Sequence, residues 1–131
     1  GMFYRNSKVR ISDIADGTSF TLAVGEKSGQ ATMCSWVGAI PGTKWSTSND
    51  TSNYGSIPTN LATAMCLGHA CQNHPPSSSL GVAEDFSSQH IAGINCVFAD
   101  GSVHAISARI NMRVYPFTAS IDDGRPLTID F

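Results

Sequence analysis

Charge is scarce in this chain. Only 14% of its 131 residues are charged, and no stretch gathers Lys or Arg into a cluster, so the basic footprint that nucleic acid or anionic lipid requires is missing. The 8 basic and 10 acidic residues leave a formal net charge of -2, which selects no partner. No apolar run approaches the roughly 18 residues of a membrane span, and the N-terminus has no basic region followed by an apolar stretch. The chain as given is therefore expected to be soluble, with no membrane insertion and no nucleic-acid partner. Also missing are an internal repeat, a Gly-x-Ser-x-Gly nucleophile elbow and the Cys-x-x-Cys-His order of covalent haem attachment.

The length suits one domain with one core. We expect a single domain over residues 2–131, with Gly1 as the remnant of a cleaved tag and the natural start at Met2 or upstream. Ser, Thr, Gly and Asn are plentiful, a composition that favours short strands and polar turns. The expected class is α+β and mostly β, a mixed antiparallel sheet with long polar loops and one or two short helices.

Residues 7–11 alternate polar and apolar side chains and read as a strand. Ser12 then caps a helical turn that Gly17 ends. Residues 18–26 and 33–40 have strand composition, the second closed by Pro41-Gly42. Residues 43–60 read as a long surface loop carrying Trp45 and Tyr54, and residues 61–67 as a short helix stopped by Gly68. A short strand is expected over 112–117 and a turn at Asp122-Asp123-Gly124, with residues 127–131 closing the chain.

The clearest signal is residues 94–106, two strand-like runs joined by Asp100-Gly101. Asp-Gly suits a two-residue type I′ hairpin turn. That turn would set Phe98 opposite Val103, Val97 opposite His104 and Cys96 opposite Ala105, so Ile94, Cys96, Phe98, Val103 and Ala105 are the expected core face.

Two ordered blocks carry a resemblance. Residues 6–19, with Asp16-Gly17, continue to Val24-Gly25-Glu26; residues 86–90 end in His90, which is followed, after nine intervening residues, by Asp100-Gly101. Together they resemble the signatures of a planctomycete and verrucomicrobial family of unknown function, DUF1559 or SBP_bac_10, with its prepilin-associated His-x9-Asp-Gly (H-X9-DG) motif. Ile91-Ala92 stands here in place of the family's usual Pro-Gly. The resemblance implies that this chain corresponds to the C-terminal globular part of members that begin with a prepilin leader and a long apolar helix, a helix absent from this sequence. It implies a pilin-like or pseudopilin-like architecture, a secreted, cell-envelope or extracellular location, and no reaction.

Each chemical candidate has a structural alternative. His90 and Asp100 invite a catalytic pairing, but a strand rising about 3.3 Å per residue separates them. Asp100-Gly101 reads better as a hairpin tip, and His90 as a histidine fixing its loop to a strand with Glu26 as partner. Asp16, Gly17, Glu26, His90, Asp100 and Gly101 are thus read as structural. Cys66, His69, Cys71 and His74 are all zinc-ligand types within nine residues, yet structural zinc sites usually combine two separated ligand pairs. A Cys66–Cys71 disulfide is the favoured account, with Cys34 and Cys96 as buried thiols or a second bridge. Cys71 near His74 has no visible third group to complete a nucleophile. Asp13, Asp16, Asp122 and Asp123 form no recognisable calcium loop.

The expectation is a structural or interaction domain with no catalytic residue, no cofactor and no metal, packing against copies of itself or other envelope and pilus-like components. The alternative is a solute- or saccharide-binding module using Trp45 and Tyr54. Below it stands a metal-dependent or cysteine-based enzyme centred on residues 66–74.

Overall fold

The computed structural model describes residues 1–4, 6–28, 67–79, 84–124 and 129. Three antiparallel strands form a sheet in the order β1-β2-β3: β1 is Leu22–Gly25, β2 is Gly93–Phe98 and β3 is Val103–Ser107. The only helical elements among the described residues are two 3-10 turns, Ile11–Asp13 and Tyr115–Ala119. The mostly-β expectation holds, and no described helix is long and apolar enough to cross a membrane.

The predicted hairpin is present, but its register is one residue away from expectation. Val97 pairs with Val103, Cys96 with His104, Asn95 with Ala105 and Ile94 with Ile106. The Gly101 amide donates to the Phe98 carbonyl (3.0 Å) and the Phe98 amide to the Ser102 carbonyl (2.9 Å). The loop therefore holds three residues, 99–101. Only Gly101 has a positive φ, 86°, while Asp100 does not, so a type I′ turn is excluded and the loop is a type I turn closed by a left-handed glycine. A one-residue shift reverses the faces of a strand. Val103 is consequently 65% exposed and Ala105 exposed, whereas Ile106 is 2% exposed and joins Ile94, Cys96 and Phe98 in the core.

That core also contains Leu22, Phe86 and Tyr115. Tyr115 comes from a segment expected to be a strand. Pro116, lacking an amide hydrogen, suits the start of a 3-10 turn better than a ladder. Thr118, fully buried, bonds the Tyr115 carbonyl at 2.7 Å. Residues 7–10 of the strand expected over 7–11 form no regular element, and Ile11–Asp13 is a 3-10 turn capped at Arg10 rather than Ser12, where the Asp13 carboxylate accepts the Arg10 amide at 2.8 Å. The strand expected over 18–26 is confined to β1, with a bulge between Leu22 and Val24. The strand expected over 33–40, the loop over 43–60 and residues 61–66 of the helix expected over 61–67 lie outside the described residues.

Phe86 positions the irregular segments against the sheet. Its ring lies where a side chain on Gly25 would project, with Phe86 Cδ1 2.7 Å from that point, and it occupies the corresponding space at Gly68. Both positions accept only glycine without displacement of the ring. The segment around Gly68 is thereby held against the end of β1, with Ala70 packed on the core.

Candidate functional site

The two sequence signatures meet in space at both ends of β2. At one end, the Glu26 amide donates to the Asn95 carbonyl (3.1 Å) and the Ser87 amide to the Glu26 carbonyl (3.0 Å). The Glu26 carboxylate accepts the Asn95 amide at 2.9 Å and its side-chain Nδ2 at 3.1 Å. His90 Nε2 stands 3.4 Å from Glu26 Oε1, the partnership expected from the sequence. These donors, the Asn95 amide foremost, hold the Glu26 carboxyl below the ordinary range.

At the other end, the Ala99 amide donates to the Thr21 carbonyl (2.8 Å) and the Asp100 amide to the Thr18 carbonyl (3.1 Å). Asp100 Oδ1 accepts the Ser102 hydroxyl at 2.7 Å and its amide at 2.9 Å, which keeps that carboxyl low as well. Gly17, with φ 98°, carries the chain into this junction, and its carbonyl accepts the Thr21 hydroxyl at 3.1 Å. Asp16 accepts the Asp123 and Gly124 amides at 2.9 and 3.0 Å. His90 and Asp100 thus have separate partners at opposite ends of β2.

A second cluster lies on the ribbon formed by residues 67–79 and 84–88. The His69 amide donates to the Glu84 carbonyl (3.0 Å) and the Ser77 amide to the Phe86 carbonyl (3.1 Å), and His69 and Asp85 form an isolated parallel bridge. This pairing sets Asp85 beside two histidines: His74 Nδ1 is 2.9 Å from Oδ2 and His69 Nδ1 is 3.5 Å from Oδ1. Donor atoms of His69, Cys71 and Asp85 all lie within 4.8 Å of one another. Asp85 is 5% exposed, His74 half-buried and His69 exposed.

The expected Cys66–Cys71 bridge is not formed in this structure. Cys71 is a free thiol, as is the buried Cys96, and Cys34 and Cys66 lie outside the described residues. Burial pushes the Cys96 thiol up to about 12. Trp45 and Tyr54 also lie outside the described residues. Asp85 was not legible as a member of the cluster. It is 11 residues beyond His74 and arrives through a pairing between two irregular segments, which has no periodic signature. The only hint was a carboxylate just ahead of the His90 block.

The outer face of the sheet carries a third feature. Val24 pairs with Val97 and Val97 with Val103, so three valines stand side by side across the strands. Val24 is 57% and Val103 65% exposed.

Residues 1–113 match the family described as "Protein of unknown function (DUF1559)", SBP_bac_10. No curated protein and no solved structure matches the chain.

Proposed function

Because the chain belongs to the DUF1559 family of proteins of unknown function, we propose that it works as a structural or interaction domain at the cell envelope or outside the cell, the pilin-like globular head of a larger assembly, and that it carries out no reaction. The observation that carries this reading is the valine row on the outer sheet face. Val24, Val97 and Val103 form a continuous apolar strip without a charged member, and such strips on a stable domain favour protein contact. An uncharged strip is complementary to itself, which favours another copy of the chain as the surface it packs on.

The signature residues support the same reading. Glu26 and Asp100 are engaged by backbone amides and neighbouring side chains, so they serve the sheet and its hairpin. The test combines fractionation of native cells with cysteine cross-linking at Val24→Cys and Val103→Cys. Recovery in the envelope or medium, with homotypic cross-links at both positions, is the expected result. Cross-links to a different envelope protein would replace the self-contact. Recovery in the cytosol would overturn the reading.

A further inference from the structure

The geometry points to a zinc-class metal site formed by His69, Cys71 and Asp85, with His74 holding Asp85 in place. The three donor types are a nitrogen, a sulfur and a carboxylate oxygen, a set that zinc accepts and that calcium and magnesium do not. Their atoms converge, all lying within 4.8 Å of one another. Convergence separates a metal cradle from a nucleophile relay, in which an acid, an imidazole and a thiol stand in line and the acid is kept from the thiol.

The separation of His69 from Asp85 points the same way. Nδ1 to Oδ1 is 3.5 Å, long for a charge-assisted hydrogen bond. Two ligands at bond lengths of about 2.0 Å around a tetrahedral metal stand roughly 3.3 Å apart. His74 plays a different part. Its Nδ1 lies 2.9 Å from Oδ2, a hydrogen bond on the other carboxylate oxygen, and outer partners of this kind orient a metal-binding carboxylate. The ligand set therefore differs from the cysteines and histidines that the sequence groups together. Asp85 takes the place of His74, and Cys66 lies outside the described residues.

The chain around the cluster explains why it is built at all. His69 and Cys71 sit on one strand of the irregular ribbon and Asp85 on the other, so a metal would tie residues 67–74 to the segment carrying Phe86, and through it to the core. This meets the requirement that a structural metal join separated stretches of chain, which the cysteine and histidine run alone does not. Three protein donors leave a fourth tetrahedral position for water or another ligand. Cys71 binds as the thiolate, its proton passing to solvent.

The test uses the full chain, purified under reductant, stripped with chelator and titrated with zinc and then cobalt(II). Native mass spectrometry should give one zinc per chain, and cobalt a thiolate charge-transfer band with tetrahedral ligand-field absorption. Cys71→Ser should abolish that band and His69→Ala weaken zinc on the order of tenfold to a hundredfold or more; His74→Ala should weaken it by about tenfold with the stoichiometry kept. His90→Ala should leave zinc affinity unchanged. Cys71→Ser is close in size to the native residue, and circular dichroism of each metal-free variant separates lost binding from lost fold. Absence of the charge-transfer band in the native sequence would overturn the proposal, as would its persistence in Cys71→Ser.

Discussion

The carboxylate of Asp16 accepts the backbone amide of Asp123, 107 residues away, from both oxygens, at 3.0 and 2.9 Å. Asp16 belongs to the first signature, whereas Asp123 lies beyond residue 113, where the family match ends. The contact joins the part of the chain shared with the family to a segment that also supplies Tyr115 and Thr118, 1% and 0% exposed. Tyr115, beyond residue 113, is thus part of the same core.

The first prediction concerns that segment. Tyr115→Ala should cost about 3–5 kcal/mol, the range for removing a large buried ring, measured by urea unfolding. A chain ended at residue 113 should lose the cooperative transition entirely. An unchanged transition in either protein would mean that the core does not include this segment.

The hairpin register makes the second. Ile106→Ala should cost about 2–5 kcal/mol and Val103→Ala about 0.5 kcal/mol or less. The register expected for a two-residue turn predicts the reverse order. Gly93 supplies a further check, since its φ is 152° and an added Cβ would collide with the Ile106 carbonyl oxygen. At Gly101 the same Cβ meets nothing within 4 Å, leaving only the cost of a left-handed backbone, roughly 1–2 kcal/mol. Thermal unfolding should find Gly93→Ala far more damaging than Gly101→Ala.

The cysteines should separate by reactivity. Cys96 is 1% exposed and its thiol is pushed up to about 12 by burial, so iodoacetamide at about pH 8 should leave it unlabelled until the protein unfolds. Cys71, partly exposed and free, should be alkylated in metal-free protein and protected once zinc is added. Peptide mass mapping reads both.

How much of this was legible in the sequence depended on distance along the chain and on turn chemistry. The hairpin announced itself through Asp100-Gly101 between two apolar runs. Its register did not, because the same dipeptide serves a two-residue turn or ends a three-residue loop with Gly101 in the left-handed region, and the two choices expose opposite faces of β3. The partnership of Glu26 and His90 is legible because the strand ending at Glu26 and the block ending at His90 are both recognisable in the sequence. Asp85 escaped because one isolated bridge, rather than a strand, brings it to His69. Around residue 115, apolar composition suggested a strand, but Pro116 decided for a 3-10 turn.

Stability should also fall in acid through Glu26. Its folded carboxyl is held below the ordinary 4.5, chiefly by the Asn95 amide, so the unfolded chain binds the proton more readily. The contribution is complete above the unfolded value and disappears as pH falls through the lower folded value. Part of the side chain faces solvent, so the effect is modest. Urea midpoints should show native protein and Glu26→Gln differing at neutral pH and converging as the pH falls below the ordinary glutamate range.

The most direct measurement is denaturant unfolding of Glu26→Ala at neutral pH, because Glu26 joins the two family signatures at one end of β2. If those signatures build the sheet, the variant loses about 1–2 kcal/mol, the worth of charge-assisted bonds to the Asn95 amide and side chain. An unfolding midpoint and slope identical to those of the native protein would contradict a structural role for the signature.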